Sequence, residues 1–587
     1  MNYDLNQFVG QKEEKNATYK ALRKLLALIN DEHRTLAFAF AAILINSALL
    51  LLGPILIGRT IDQYIQHKQF DGVLRNAGIL LVIYLIAFAT GYTQTRLMGG
   101  VGQRTLFKLR NAVFNKLQEL PVAFFNQNKA GDLISRVNND TDKLNLFFSQ
   151  ALMQFISSIF MMTGAGLFLL FINLPLGAAA LSPALLLWFF TQATSAWVKR
   201  KNALNLKSVG DMSAEIQESL NNFKVIIAFN RRDYFRRRFE KANQQNYKTA
   251  IGAGLANNVY LPIYGLSAQL GQLIVLSFGI YLIATDRFTV GLLISFLSYV
   301  TNFYNPLRQL ATLWTSFQVA LAGWDRISHL LALPTNLTTI EQPLATPDSA
   351  LLSFRHVSFA YPTGREVLHD INFELETGKT YALVGPTGGG KTTTASLMAR
   401  LYDPTSGIIL LGGKDIRAYS PAERAQKIGF ILQEPFLFTG TVRDNILYGN
   451  SQYQQYTNEQ LTDVIHAANL QELLKRFDEG LDTTVQTSGD AISLGQKQLI
   501  AFMRAVLRNP DLLILDEATA NIDTVTEKLL DEILQNLPAK TTLIIIAHRL
   551  NTIERADDIF FINAGQVTKA GSLNDAVTML LHGKQVS

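Results

Sequence analysis

Five runs of this sequence carry no charged side chain over 20 or more consecutive residues. They are Leu36–Gly58 (23 residues), Asn76–Thr95 (20), Leu144–Val198 (55), Thr249–Thr285 (37) and Phe288–Leu307 (20). A bilayer core of roughly 30 Å takes about 20 apolar residues per helix. The 55-residue run is long enough for two crossings, and "INLP" at Ile172–Pro175 offers the turn between them. The runs therefore predict six transmembrane helices. Composition agrees, with 48% hydrophobic and 17% charged residues and a mean hydropathy of +0.14. Core helices of a soluble fold do not explain so many uncharged runs of this length.

The charged residues then set the orientation. Lys199–Lys248 holds twelve Lys/Arg against five Asp/Glu, and the connection Arg96–Lys143 is also basic, whereas Arg59–Arg75 and Asp286-Arg287 are short. The positive-inside bias places the long loops and both termini in the cytoplasm. The net charge of +6 is thus topological, and no nucleic-acid partner is expected. Both long loops have apolar residues at helical spacing, as in "RTLFKLRNAVFNKLQELPVAFF". The spans are expected to continue beyond the membrane and to turn near Gln127–Asp132 and Asn230–Phe235. No charged start leads into a short apolar core and cleavage site, so no signal peptide is expected. The absence of cysteine excludes disulfides, thiolate metal sites and a cysteine nucleophile.

After Trp324 the chain changes character. "ALPTNLTTIEQPLATPDSA" (332–350) has linker composition. From Leu351, short β-type runs alternate with helical ones, the pattern of an α/β domain. The expected organisation is an N-terminal elbow segment (1–35), a six-helix transmembrane domain (36–325), a linker (326–350) and an α/β P-loop ATPase domain (351–587).

The ATPase reading rests on "GPTGGGKT", Gly385–Thr392, between the strand-like "TYALV" and the helical "TTTASLMARLY". Gly385, Pro386, Thr387, Gly388, Gly389 and Gly390 let backbone N–H groups turn toward phosphates, and the helix N-terminus adds positive dipole. Lys391 neutralises phosphate charge, and the Thr392 hydroxyl can ligate Mg²⁺, with Thr393 next in the helix. "LLILDEAT" (Leu512–Thr519) supplies a buried strand, with Asp516 for Mg²⁺ and Glu517 to orient the attacking water.

With these motifs in place, the chain resembles an ATP-binding-cassette (ABC) transporter of the exporter type, from about Thr18 to the C-terminus. The resemblance implies further roles. Tyr361 in "FAYP" is similar to the family's adenine-stacking aromatic. Gln433 in "ILQEP" matches its Q-loop residue, which touches Mg²⁺. "ANID" (520–523) resembles its D-loop, and His548 in "IIIAHRL" its switch histidine at the γ-phosphate. The two cytoplasmic turns resemble its coupling helices. ATP and Mg²⁺ are the implied cofactors. The implied setting is a bacterial inner or plasma membrane, with the ATPase domain cytoplasmic.

One motif departs from the family. Where the resemblance implies LSGGQ facing the γ-phosphate of a partner's site, this chain has "ISLGQ". Ser493, Gly495 and Gln496 match, but Leu494 replaces a glycine, and "QTSGD" (486–490) departs as well. A branched side chain there should crowd the phosphate. Lys391, Asp516, Glu517 and His548 all match. The combination predicts a heterodimer: a second half-transporter supplies an intact signature to this chain's Glu517 site, and ISLGQ covers a degenerate site. A homodimer that tolerates Leu494, or an importer built on the exporter scaffold, are the alternatives. The expected cargo is an amphiphilic small molecule, lipid or peptide. Asn46, Tyr260, Tyr264, Gln269, Gln272, Asn302, Tyr304 and Asn305 are candidates to touch it or to bond helix to helix.

Overall fold

The computed structural model describes residues 3, 5, 29–335, 337, 339–340, 350–361, 364–486, 492–516, 524–546 and 553–582. Its contacts divide the chain into two compact units. One comprises Gln11–Lys116 and Gly131–Ala332; the other comprises Met1–Gly10, Leu117–Ala130 and Leu333–Ser587.

The first unit is helical: α1 (His33–Ile65, its last turn π-helical), α2 (Phe70–Glu119), α4 (Ala130–Ile172), α5 (Leu174–Asn221), α6 (Phe223–Ala228), α7 (Arg232–Ala284) and α8 (Val290–Ala332). A short helix, α3 (Val122–Gln127), falls in the second unit. Among the described residues, α1, α2, α4, α5 and α7 are long and apolar enough to cross a membrane. The sixth predicted span, α8, is 43 residues long. Asn302, Tyr304 and Asn305 dilute its apolar half. It continues past residue 325 to Ala332, where the 332–350 stretch of linker composition begins.

The long helices present large apolar side chains outward: Leu81, Phe88, Trp188 and Phe189 are each at least 60% exposed. Water would penalise such a surface, whereas lipid removes the penalty. Inside, Phe296, Tyr299 and Val300 are fully buried, and Tyr299 stacks on Phe168 at 5.1 Å. Pro54 interrupts the hydrogen-bond ladder of α1. Hydroxyls of α8 serve carbonyls beside it: Tyr299 donates to Leu51 (2.6 Å) and Ser295 to Pro54 (2.7 Å). Further along, the buried Asp140 accepts from Arg326 Nε (2.8 Å) and Lys143 (3.0 Å), which compensates its charge and ties α4 to α8.

The second unit carries twelve strands among its described residues: β1 (Leu352–Ala360), β2 (Glu366–Leu375), β3 (Thr380–Val384), β4 (Ser406–Leu411), β5 (Lys414–Asp415), β6 (Ile428–Ile431), β7 (Gly440–Thr441), β8 (Thr484–Val485), β9 (Leu512–Asp516), β10 (Thr542–Ile546), β11 (Asp558–Asn563) and β12 (Gln566–Ala570). An antiparallel sheet runs β2-β1-β4-β5, and a six-stranded sheet runs β12-β11-β3-β10-β9-β6. Five strands of the latter are parallel, with β12 antiparallel at its edge. β9 is buried along its whole length, as a parallel strand covered on both faces must be.

Candidate functional site

The parallel strands end on one edge, and the predicted motifs follow directly from those ends. Ile546 of β10 pairs with Leu383 on one side and Asp516 on the other. Gly385 leaves β3 there, Asp516 closes β9, and β6 ends two residues before Gln433. With strands about 4.8 Å apart, Asp516 and the start of the glycine loop are separated by roughly 10 Å across β10. The crevice outside the carboxyl ends of such a sheet is the usual ligand site of open α/β folds. Glu517, His548 and the segment 520–523 lie outside the described residues, though β9 and β10 lead toward them.

The loop after β3 is shaped by contact with β11. Gly385 has φ +146°, and a Cβ on it would stand 2.0 Å from the Ile562 carbonyl oxygen; on Gly389 the distance would be 2.6 Å. Backbone cannot yield at such distances, so glycine is required at both positions. Pro386, Thr387 and Gly388 form the exposed rim, while Gly390 begins the helix α9 (Lys391–Met398). Lys391 is only 6% exposed. Its ammonium donates to the carbonyls of Gly385 (2.8 Å) and Pro386 (3.0 Å) and so arches over the loop. Thr392 is exposed at the helix start. Thr393 turns inward, its hydroxyl 3.0 Å from that of Tyr361. It therefore belongs to the support of Tyr361, and only its backbone faces the helix terminus.

This arrangement fits a nucleoside polyphosphate. A glycine cradle, a helix N-terminus and an ammonium group meet at one loop. It fits Mg²⁺ as well, because Asp516, Thr392 and Gln433 offer hard oxygen donors. Mg²⁺ in phosphate sites needs only one or two carboxylates. No cluster of three His, Cys, Asp or Glu able to hold a metal occurs among the described residues.

Residues 36–307 match a family model described as the ABC transporter transmembrane region, and residues 368–520 match one described as ABC transporter. The chain is 33% identical over 569 residues to the "Uncharacterized ABC transporter ATP-binding protein YfiC" of Bacillus subtilis, covering 95% of this chain and 92% of that protein. It is 34% identical over 514 residues to a "Fatty acid ABC transporter ATP-binding/permease protein" of Mycobacterium tuberculosis (86% and 80%). It is 30% identical over 589 residues to a "Multidrug resistance ABC transporter ATP-binding and permease protein" of Lactococcus lactis subsp. cremoris (99% and 98%). The chain belongs to the ABC transporter family. It is an ATP-hydrolysing, exporter-type transporter with its membrane and ATPase domains fused, and it is integral to the membrane.

The transporter's signature region opens a helix, α10 (Leu494–Val506). Ser493 is its N-cap: its hydroxyl accepts from the Gln496 N–H (3.2 Å), and its own N–H donates to Gln496 Oε1 (3.0 Å). The Gln496 amide also donates to the Arg476 carbonyl (2.9 Å). The side chains of Ser493 and Gln496 thus hold the helix start itself, and Gly495 lies in its first turn. Leu494 adopts helical geometry with its side chain 44% exposed. Residues 487–490 lie outside the described residues.

Two features were not foreseen in the sequence. Tyr402, just after α9, packs edge-on against Tyr361 at 5.4 Å and accepts a hydrogen bond from Asn126 of α3 (2.7 Å). In the membrane unit, an apolar cavity of about 970 Å³ opens among α1, α2, α4 and α8, lined by Phe40, Met98, Phe155, Trp314 and Phe317, with His33 contributing polarity. Several of the polar candidates bond helix to helix instead. Asn46 donates to the Ala87 carbonyl (2.8 Å), Tyr304 to that of Ala180 (3.0 Å), and Gln272 to the Thr301 hydroxyl (3.0 Å). The cavity residues are ordinary apolar side chains, so no sequence signal distinguishes them.

Proposed function

We propose that this chain is one half of a heterodimeric exporter that moves amphiphilic small molecules out of the cytoplasm, with one hydrolytic and one degenerate ATP site. The observation that carries the proposal is the contrast between an intact glycine cradle and a signature helix whose first residue is an outward-facing leucine. Two copies of this chain would place Leu494 over both nucleotides. A partner with a glycine at that position gives the Glu517 site an unobstructed cover and leaves ISLGQ over its own phosphate loop. The predicted partner carries a residue other than glutamate at the position equivalent to Glu517.

In the proposed cycle, Lys391 and the loop amides hold the polyphosphate, Glu517 orients the water, and His548 contacts the terminal phosphate. Mg²⁺, when bound, offsets phosphate charge. Closure of the two ATPase domains switches the membrane helices from inward- to outward-facing, and hydrolysis resets them. The apolar cavity supports amphiphilic cargo, since pockets of 300–1,000 Å³ enclose drug-sized molecules. The fatty-acid and multidrug relatives fit the same class.

The test is purification of this chain alone and together with the protein it captures from its own cell membranes. Substrate-stimulated ATPase only in the mixed complex supports the proposal. Full coupled activity in a dimer of this chain alone overturns it. Inside-out vesicles, in which an exporter accumulates cargo, separate export from import.

A further inference from the structure

Tyr402 connects two parts of the ATPase unit that lie far apart in sequence. Its hydroxyl accepts the side-chain N–H of Asn126 (2.7 Å) across 276 positions. Asn126 sits on α3, within the Leu117–Ala130 segment that packs as part of this unit. That segment is firmly seated. Phe124 is fully buried, the Asn128 side chain accepts from the Leu5 N–H (3.1 Å) and donates to the Tyr3 carbonyl (2.9 Å), and Gln127 accepts from the Tyr3 N–H (2.8 Å). Asn126 therefore projects from a fixed element.

Tyr402 is fixed from the other side too. It follows Arg400, which is 2% exposed, has φ +48° and donates to Asp403 (2.9 Å). Its ring meets Phe359 at 5.5 Å and Tyr361 at 5.4 Å, the latter at 88°. Burial pushes the Tyr402 phenol above its usual value and outweighs the opposing hydrogen bond from Asn126. Tyr361 itself leans on Phe359 at 4.9 Å, and its hydroxyl lies 3.0 Å from that of Thr393 in α9. A continuous line of contacts thus runs Asn126–Tyr402–Tyr361–Thr393, from α3 to the helix that follows the phosphate loop.

We propose that Tyr402 is a positioning residue that couples occupancy of the Tyr361 platform to the Leu117–Ala130 segment through Asn126. This rests on the reading that the nucleotide base stacks on Tyr361. A base on that ring restricts its tilt, and the Tyr402 ring packs perpendicular to it at 5.4 Å, so the Tyr402 hydroxyl is held where Asn126 reaches it. Coupling is reciprocal: seating of Asn126 on Tyr402 must favour the occupied platform by the same factor.

The experiment is an ATP-dependence of hydrolysis on the full chain in its native assembly, with Asn126→Ala, Tyr402→Phe and Tyr361→Ala singly and in pairs. Tyr402→Phe keeps the ring and removes only the hydroxyl. Asn126→Ala and Tyr402→Phe should each raise KM for ATP about fivefold, the factor that one neutral hydrogen bond supports, with kcat unchanged. Together they should do no more than either alone. In the Tyr361→Ala background, Asn126→Ala should have no further effect. An unchanged Asn126→Ala penalty in that background overturns the relay, as does an effect confined to kcat. Absence of ATP hydrolysis in the unsubstituted assembly would instead sink the functional reading, and the relay with it.

Discussion

Two helix starts in the ATPase unit face opposite constraints. At α9 the approach is rich in glycine, and the fold itself enforces it at two positions, because a Cβ on Gly385 or Gly389 would collide with the backbone of Ile562. At α10 the chain places a leucine in the first turn, keeps it helical and caps it with Ser493 and Gln496. The folded chain alone penalises substitution at the first start and tolerates it at the second. A glycine there is needed only by something that approaches from outside. The contrast separates residues that build this chain from residues that serve an interface, and it makes Leu494 informative about a partner.

The largest effect that would sharpen this comparison is at Lys391. Its ammonium donates to two carbonyls of the glycine loop. Lys391→Ala should lower ATP turnover at least about 100-fold, on the scale of removing one preorganised charge stabiliser, while thermal unfolding barely moves. A residual rate above a tenth would mean the loop backbone suffices. Gly389→Ala comes next and acts through the fold. Since backbone meets backbone, about 1–3 kcal/mol of stability should be lost, the usual cost of overpacking, together with nucleotide binding. Denaturant titration and nucleotide binding measured on one sample check both. A Gly389→Ala variant that stays stable and binds nucleotide would break the comparison.

The α9 start was legible because its signal is local. A β-type run, spaced glycines, Lys391 and a helical run occupy one short window, and the order alone fixes the geometry. β9 was legible for a similar reason, as an apolar run ended by Asp516. Tyr402 was not, because its partner lies 276 residues away and both residues look like surface positions of short helical pieces. In the membrane unit, six apolar segments could be counted, but not the fate of their polar side chains. Asn46 and Gln272 could equally have faced cargo; only three-dimensional packing shows each bonded to a neighbouring helix. The cavity escaped notice because four separate helices build it from unremarkable apolar residues. The helix of Trp324 persists to Ala332, where the stretch of linker composition begins.

The smallest effects are expected at α10, and they separate capping from catalysis. Ser493→Ala removes the acceptor for the Gln496 N–H and should cost about 1 kcal/mol of stability, the usual loss for an N-cap. Leu494→Gly replaces an exposed side chain in the first turn and should cost no more than about 1 kcal/mol. In the proposed heterodimer both variants leave turnover at the Glu517 site within about twofold, because the partner's signature covers that site. In a dimer of this chain alone, Leu494→Gly would instead relieve crowding at both sites and raise turnover several-fold, while Ser493→Ala would lower it. Steady-state ATPase of the two variants, read beside their denaturation midpoints, therefore shows whether this helix start serves its own chain or a neighbour. Parallel loss of stability and turnover in Ser493→Ala would mean that ISLGQ still works as a signature.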